Sequence, residues 1–294
     1  MSRYSSRTWF VLVITLSSVT GCTSLLFQPM KQHLYTPDFV NLEYEDIVIA
    51  SDNDLQLHGW RLLAQAGDND RQGADKKGNI LFLHGNGENI STHFGNLYWL
   101  MQYGYDGYIF DYRGYGKSEG MPELDGVVRD VRAMLDYMMR ETPADQQLIV
   151  IGHSMGGALA IHAVASHPRK QRITALVTVE AFSDYRAVAR DVLGNSWLTW
   201  ALQWPLSFTI SNRYRPLDAV ANVSPVPLLI MHSRQDRLVP FYHALKLYAR
   251  AGEPKQFVEI RGAHNRIFRD NANRALLLES LQSIQKNPRP GRGK

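Results

Sequence analysis

Short apolar runs alternate with amphipathic stretches along most of this 294-residue chain. Two alternating segments, residues 42–50 and 55–63, flank a polar turn and predict an antiparallel hairpin. After this hairpin, short apolar runs predict buried strands at residues 80–83, 108–110, 148–151, 175–179, 228–231 and 257–260.

Helical patterns lie between these runs. The clearest follows Pro122, where apolar residues recur at three- and four-residue steps from Leu124 to Met138. Further helices are predicted at residues 91–103, 156–165, 241–251 and 271–284. The alternation predicts an α/β fold in which a mostly parallel sheet carries helices on both faces. The alternation of strands and helices is interrupted at residues 181–217, a stretch too long for a simple connection between two elements.

Composition and charge exclude several classes of protein. With 45% hydrophobic and 20% charged residues, the chain is neither disordered nor collagen-like nor a multi-span membrane protein. A single cysteine excludes a disulfide framework and a cysteine-based zinc site. The formal net charge of +4 comes from six basic residues in segments 1–21 and 286–294, which leaves 26 basic and 28 acidic residues elsewhere. Nucleic-acid binding is therefore not expected, and no metal or organic cofactor is indicated.

The first 21 residues have the pattern of a secretory signal peptide: Arg3 and Arg7, an apolar run, then small residues. The apolar run is too short to span a hydrocarbon core of about 30 Å. Residues 19–22, Val-Thr-Gly-Cys, resemble the lipobox of bacterial lipoproteins, which implies cleavage before Cys22 and acylation of the new N-terminal cysteine. An uncleaved anchor with an incidental cysteine is the alternative.

The resemblance to lipoproteins implies a place in the bacterial cell envelope, held to the membrane by lipid. Thr23 stands where the enteric signal for inner-membrane retention has Asp, so the periplasmic face of the outer membrane is expected. Residues 22–41, with Pro29 and Pro37, are interpreted as a tether, residues 42–285 as the folded domain and residues 286–294 as a basic tail.

A Gly-x-Ser-x-Gly pattern follows the strand predicted at residues 148–151. Residues 152–157 read Gly-His-Ser-Met-Gly-Gly, with Ser154 at the centre. Glycines on either side permit a sharp strand-to-helix turn that projects the serine hydroxyl above the sheet. The N–H groups at the start of the helix favour a developing negative charge. Ser154 is therefore the candidate nucleophile, and a glycine-rich turn around a structural serine is the alternative.

A serine nucleophile needs a base, and the base needs an orienting acid. Asp236 and His264 each follow a predicted strand late in the chain, in the order Ser, Asp, His expected for this architecture. Both should therefore emerge at the carboxyl edge of the sheet, where Ser154 also emerges. The alternatives are His232 and His243 for the base and Asp184 for the acid.

Residues 84–87, His-Gly-Asn-Gly, end the strand predicted at residues 80–83. Their glycines permit close approach of the backbone to a substrate oxygen. The backbone N–H groups of Asn86 and Met155 can together form an oxyanion hole. His84 precedes the nucleophile strand and is interpreted as bracing this loop. A flexible loop without a catalytic role is the alternative.

These blocks resemble the α/β-hydrolase superfamily, and particularly its small serine-aminopeptidase-like members. The likeness spans roughly residues 42–285 and rests on residues 83–87, 110–118, 152–157 and 232–240. It implies a triad of Ser154, His264 and Asp236, with Asn86 and Met155 as oxyanion donors. It also implies a structural role for residues 111–118 and a cap over the active site at residues 181–217.

An aromatic stripe lies within the expected cap. Trp197, Trp200, Trp204 and Phe208 recur at three- and four-residue steps. Such a stripe commonly packs in a core, and here it is also expected to roof an acyl pocket.

The expected function is a serine hydrolase that cleaves a carboxylic ester or thioester, including a lipid ester, through an acyl-enzyme. An amidase or aminopeptidase on the same triad is one alternative, and a non-catalytic surface lipoprotein on a hydrolase scaffold is another. A haloalkane dehalogenase is excluded, because that chemistry needs a carboxylate where Ser154 stands.

Overall fold

An eight-stranded sheet forms the centre of the molecule, in a computed structural model that describes residues 27–65, 76–195 and 197–286. The predicted signal peptide, Cys22 and residues 287–294 of the predicted tail lie outside the described residues. The strands are β1 (Gln28–Pro29), β2 (Tyr44–Ala50), β3 (Gln56–Leu62), β4 (Gly78–Leu83), β5 (Gly87–Glu88), β6 (Tyr105–Phe110), β7 (Gln147–His153), β8 (Ala175–Val179), β9 (Leu228–Ser233) and β10 (Lys255–Ile260).

The order of strands in the main sheet is β10-β9-β8-β7-β4-β6-β3-β2. The hairpin of β2 and β3 and the pairing of β3 with β6 are antiparallel, and all other pairings in this sheet are parallel. Strands β1 and β5 pair separately as a short parallel ribbon. The predicted hairpin and the mostly parallel sheet are therefore confirmed.

Helices cover both faces of the sheet, as the sequence pattern predicts. They are α1 (Ile90–His93), α2 (Leu124–Glu141), α3 (Met155–Ser166), α4 (Tyr185–Gly194), α5 (Gln203–Thr209), α6 (Pro216–Ala219), α7 (Tyr242–Arg250) and α8 (Asn271–Lys286). Short 3-10 turns occur at Pro37–Val40, Asp52–Asp54, Phe94–Asn96, Tyr98–Tyr103, Lys170–Arg172, Trp200–Leu202, Val220–Val223 and Ile267–Arg269.

Alternate side chains of the central strands fill two apolar cores. In β4, Leu81 and Leu83 join the cluster under α2, α3 and α7, whereas Ile80 and Phe82 join the cluster under α8. Since both faces are covered, β4 is buried along its whole length, which explains the continuous apolar run from Ile80 to Leu83. The carboxyl ends of the parallel strands thereby meet at one edge of the sheet.

Three local details differ from the sequence-based expectations. The predicted helix at residues 91–103 is instead the single turn α1 followed by two 3-10 turns, because Gly95 and Asn96 in its middle are poor helix formers. At the other end of the chain, Lys286 belongs to α8 rather than to a tail. The third difference concerns residues 27–41.

Residues 27–41 pack against the domain, although a tether is expected there. Phe27 is buried in the apolar cluster beside α3. Pairing of Gln28 with Gly87 forms the β1–β5 ribbon, and His33 Nε2 lies 2.9 Å from Asp111 Oδ2. The folded unit therefore includes these residues. Within the described residues, no helix combines the length and apolar character needed to cross a bilayer.

Candidate active site

Ser154 occupies a sharp turn between β7 and α3. Its φ of 54° lies in the left-handed region, which is costly for a residue with a side chain. Its N–H donates to the carbonyl oxygen of Val179 at 2.8 Å. A Cβ on Gly156 would lie 2.0 Å from the carbonyl oxygen of Leu83, and one on Gly152 would lie 2.5 Å from that of Gly156. The glycines of the motif are therefore required by close backbone packing, which fixes the strained serine above the sheet edge.

His264 and Asp236 form a buried pair at the same edge. Nδ1 of His264, in the loop after β10, donates to Oδ2 of Asp236 at 2.6 Å. The other carboxylate oxygen of Asp236 accepts the N–H groups of Leu238 and Val239 at 2.8 and 2.9 Å. Asp236 is thus held by its own loop in the orientation that fixes Nδ1–H on the imidazole. The second ring nitrogen, Nε2, remains for chemistry.

The pair also determines the proton affinity of His264. Burial alone would lower the pKa of His264, but Asp236 and the nearby Glu180 outweigh it and raise the pKa to about 9. Burial pushes the pKa of Asp236 upward, yet the His264 imidazolium and the two backbone N–H groups hold it below its ordinary value. Asp236 is therefore the ionised partner, and His264 binds a proton more tightly than an ordinary imidazole does.

The alternatives for base and acid are engaged elsewhere. His232 donates from Nε2 to the carbonyl oxygen of Val239 at 2.8 Å. His243 lies between Ser183 and Asp191, bonded at 2.8 and 2.9 Å.

Asp184 serves the start of a helix rather than the site. It accepts the N–H of Ala187 at 2.8 Å as the N-cap of α4, and its Oδ2 lies 2.6 Å from Nε of Arg215. His232 also lies 3.7 Å from Asp236, but His264 makes the short contact with that carboxylate, at 2.6 Å. Geometry therefore distinguishes His264 and Asp236 from these three alternatives, which neither spacing nor chain order could do.

The loop of residues 84–87 follows β4 and faces Ser154. Met155 stands at the first position of α3, where a helix leaves its N–H groups without an intrahelical acceptor. A Cβ on Gly85 would meet the Ser154 Cβ at 3.8 Å, so the loop backbone runs close beside the serine. His84 donates from Nδ1 to the carbonyl oxygen of Gly85 at 2.8 Å, in agreement with the bracing role expected for it.

Residues 111–118 support that loop from behind. The hydroxyl of Tyr115 donates to the carbonyl oxygen of Asn86 at 2.6 Å, and that of Tyr112 donates to the carbonyl oxygen of His84 at 3.0 Å. Arg113 is anchored in turn by Asp130 of α2, with an N–O distance of 2.7 Å in a buried ion pair.

A cavity of about 1280 Å³ lies over these groups. Ser154, His264, Asn86 and Met155 all line it. The facing wall is apolar and comes mainly from the connection between β8 and β9, with Phe182, Tyr185, Val188, Ala189, Leu206 and Ile210. Helices α4 and α5 of this connection thus occupy the place expected for a cap.

The tryptophans of the cap do not roof the cavity. Trp197, Trp200 and Trp204 are 86%, 62% and 57% exposed. In the described part of the chain, the same segment lines the cavity with Leu206 and Ile210 instead. The predicted roof is therefore wrong, because helical spacing identifies residues that share a face without saying whether that face points inward.

Glu180 is a site residue that the sequence reasoning missed. It directly follows β8, has a φ of 53° and is fully buried. Its Oε2 lies 3.1 Å from Nδ1 of His264. The available signal was its position as the first residue beyond a predicted strand. The candidate considered after that strand was Asp184, four residues later, instead of Glu180.

Among the described residues, two clusters have ligand atoms within 4.8 Å of one another, as a metal site requires. One consists of His33, His58 and Asp111. The other consists of His153, Glu180 and His264. In each cluster one histidine nitrogen is already hydrogen-bonded to a carboxylate. His33 bonds to Asp111, and Nδ1 of His264 bonds to Asp236. A cation would have to displace these bonds, so both clusters are interpreted as hydrogen-bond networks.

Comparison with known proteins identifies the family. A family model described as serine aminopeptidase, S33, matches residues 74–218. The protein YfhR of Escherichia coli O157:H7 is 30% identical over 263 residues, which cover 89% of this chain and 87% of that protein. This chain belongs to the α/β-hydrolase superfamily. The α/β-hydrolase domain-containing protein WAV2 of Arabidopsis thaliana is 29% identical to this hydrolase over 231 residues, covering 75% and 71% of the two chains.

Solved structures agree with this assignment of the fold. An esterase of Pyrococcus furiosus superposes on this hydrolase with a TM-score of 0.67 at 20% sequence identity, covering 88% of this chain and 97% of that one. The esterase domain of a Rhodothermus marinus protein superposes with a TM-score of 0.57 at 23% identity, covering 82% and 97%. The α/β-hydrolase fold predicted from the sequence is thereby confirmed.

Proposed function

We propose that this hydrolase cleaves a carboxylic ester or thioester through an acyl-enzyme formed on Ser154. The observation that carries the proposal is the meeting of a strained serine and a buried His264–Asp236 pair at one cavity with an apolar wall. A serine at a strand-to-helix turn, a histidine and its orienting carboxylate are the parts that acyl transfer requires.

The mechanism assigns one role to each group. The Ser154 hydroxyl attacks the carbonyl carbon while Nε2 of His264 takes its proton. The backbone N–H groups of Asn86 and Met155 stabilise the oxyanion of the tetrahedral intermediate. His264 then returns the proton to the leaving alcohol or thiol. A water molecule attacks the acyl-enzyme by the same route, and the carboxylic acid departs with Ser154 restored.

The chemistry of the cavity wall favours an acyl chain over a free amine. Among its described lining residues the carboxylate is Glu88, at the exposed rim, while Arg266 and Arg269 contribute positive charge. An aminopeptidase needs a carboxylate placed to bind the substrate's ammonium group, so amide cleavage at a free N-terminus is the less supported alternative. Each buried methylene of an acyl chain contributes about 0.8 kcal/mol against the apolar wall.

We further propose that the hydrolase is a lipoprotein of the bacterial envelope, acylated at Cys22, on the periplasmic face of the outer membrane. Five peptide units join Cys22 to Phe27, which at full extension reach about 17 Å. Phe27 itself lines the cavity. A lipid on Cys22 would therefore hold the mouth of the cavity close to the bilayer.

The rim of the cavity supports this orientation. Apolar side chains that line the cavity and are nevertheless exposed come from separate parts of the chain: Tyr35, Phe39, Val192, Leu206 and Leu238. The tryptophans of the cap are exposed as well, and Arg190 lies over the ring of Trp204 at 4.8 Å. Tryptophan rings and nearby cations suit the headgroup region of a membrane. The proposed substrate is thus an ester that enters from the lipid surface.

A panel of substrates tests the activity. The purified hydrolase is given p-nitrophenyl esters of two to twelve acyl carbons, the matching acyl thioesters and aminoacyl p-nitroanilides with a free amine. We expect ester turnover that rises with chain length, and negligible anilide turnover. Efficient anilide cleavage would favour the aminopeptidase, and absence of turnover on all three, with no labelling by a fluorophosphonate, would favour a non-catalytic scaffold.

A further inference from the structure

Glu180 lies against the histidine of the proposed triad, on the side already occupied by Asp236. Its Oε2 is 3.1 Å from Nδ1 of His264, the nitrogen that lies 2.6 Å from Asp236. The position of Glu180 is fixed by its backbone, since its N–H donates to the carbonyl oxygen of Met231 at 2.9 Å. Two carboxylates from two different strand ends thus converge on one imidazole nitrogen.

The mechanism proposed above leaves Glu180 without a role. Its side chain is fully buried, and among the described residues neither carboxylate oxygen makes a hydrogen bond of good geometry. A buried carboxylate without donors is costly unless it is protonated or faces a cation. The cation within reach is the imidazolium of His264.

The charge state of Glu180 follows from its neighbours. Burial, with the negative charge of Asp236 beside it, raises the pKa of Glu180 to about 7, although His264 opposes the shift. Two other titratable groups lie nearby. A ring nitrogen of His153, at the end of β7, lies within 4.8 Å of a carboxylate oxygen of Glu180. His232, on β9, lies 3.7 Å from Asp236. Burial keeps the pKa of His153 well below its ordinary value, so His153 is neutral.

We propose that Glu180 is a second, reserve acid for His264: a positioning residue that can hold Nδ1–H in place of Asp236. In the wild-type protein Asp236 takes this hydrogen bond, because two backbone N–H groups stabilise its carboxylate. When the charge of Asp236 is removed, burial still raises the pKa of Glu180, but the repulsion by Asp236 no longer adds to it. Glu180 then ionises, releases its proton to solvent and accepts the His264 N–H. The inference rests on the proposed serine-hydrolase function.

A double-mutant cycle tests this role, using Glu180→Gln, Asp236→Asn and the double variant, each assayed on p-nitrophenyl acetate. Glu180→Gln in the wild-type background should change kcat/KM by less than about tenfold. In the Asp236→Asn background the same substitution should cost about a hundredfold or more, because no carboxylate then remains to orient His264. The matched control is Glu259→Gln. Glu259 is exposed and pairs with Arg234, so this substitution should have no effect on kcat/KM in either background.

The pH profile gives a readout that a merely structural role would not change. In Asp236→Asn, kcat/KM should rise as Glu180 ionises, and this limb should be absent from the double variant. The Asp236→Asn profile can be interpreted even if the double variant does not fold. Equal costs of Glu180→Gln in both backgrounds, or an Asp236→Asn profile without that limb, would overturn the inference. A wild-type protein without esterase activity or fluorophosphonate labelling would instead overturn the proposed function.

Discussion

The hydroxyl of Tyr115 donates to the backbone carbonyl oxygen of Asn86 at 2.6 Å. This bond joins the loop after β6 to the loop whose N–H is proposed to stabilise the oxyanion. The Asn86 side chain is held as well, since its Oδ1 accepts the N–H of Gln28 at 3.2 Å and lies 3.1 Å from the Tyr115 hydroxyl. We therefore expect the geometry of the proposed oxyanion hole to depend on Tyr115, which does not line the cavity.

Tyr115→Phe should lower kcat by about tenfold while KM changes little. The substitution removes the donor to a half-buried carbonyl and loosens the loop, and oxyanion donors act mainly in the transition state. Tyr105→Phe is the matched control, since the Tyr105 hydroxyl bonds to Gln147 and Gln285 far from the site. Equal kcat values for the two phenylalanine variants would show that the Tyr115 bond does not position the loop.

Ser154→Ala should retain the fold and lose both fluorophosphonate labelling and ester turnover. Loss of a triad nucleophile costs about 10⁶ in kcat in well-studied serine hydrolases. The substitution removes only the hydroxyl and leaves a Cβ at a φ of 54°, where alanine is as strained as serine, so thermal stability should change little. Stoichiometric labelling of the alanine variant, measured by intact mass, would assign the nucleophile elsewhere.

Asp236→Asn and Asp184→Asn should have opposite consequences. The first should lower kcat by up to about a hundredfold, less than the ~10⁴ seen where no second carboxylate is present, because Glu180 holds Nδ1–H of His264 less well than Asp236 does. The second should leave kcat near the wild-type value, because Asp184 caps α4 and pairs with Arg215 away from the site. Asparagine is itself a good N-cap, so we expect only a small fall in melting temperature. The reverse order of kcat values would move the acid to Asp184.

The pH dependence of kcat/KM should reflect the raised pKa of His264. Only the neutral imidazole can accept the Ser154 proton, so activity should increase with pH with an apparent pKa above the ordinary 6.5 and toward about 9. Asp236→Asn should move this limb to lower pH, since it removes a charge that stabilises the imidazolium. A wild-type limb at or below pH 6.5 would contradict the geometry of the pair.

Cys22→Ala should abolish lipid attachment and leave turnover of soluble esters unchanged, because the acylated residue would lie outside the triad and its supporting loops. Metabolic labelling with a palmitate analogue measures the attachment. Ser24→Ala, two residues away, is the matched control and should incorporate label normally. Label that persists without the cysteine would argue against the lipobox.

The cap tryptophans should contact lipid when the acylated protein is bound to vesicles. Brominated phospholipids quench tryptophan fluorescence at short range, so Trp197, Trp200 and Trp204 should be quenched. Trp60 and Trp99 are buried and supply an internal baseline. A variant with phenylalanine at the three cap positions should lose the quenching and keep the hydrolysis of p-nitrophenyl acetate. Equal quenching in both proteins would show that this face points away from the bilayer.

The periodic parts of this fold could be predicted from the sequence because burial on both faces imposes a pattern. The strand preceding Ser154 and the helix from Leu124 lie where the sequence predicts them, each extending one to three residues beyond the predicted bounds. The exposure of Trp204 could not be predicted, since spacing alone does not distinguish an inward from an outward face. Glu180 was missed for a different reason: its role depends on two loops, more than 50 residues further along the chain, that converge on the same imidazole.

The short ribbon that joins Gln28–Pro29 to Gly87–Glu88 bears on how the hydrolase could be released from the proposed lipid anchor. A protease that cut between Cys22 and Phe27 would shed a soluble hydrolase with the ribbon intact. A cut after Met30 would remove the strand that pairs beside Asn86, including the Gln28 N–H that the Asn86 side chain accepts at 3.2 Å. On the proposed anchor and active site, a cut that releases an active hydrolase and a cut that inactivates it would thus differ by only a few residues of chain.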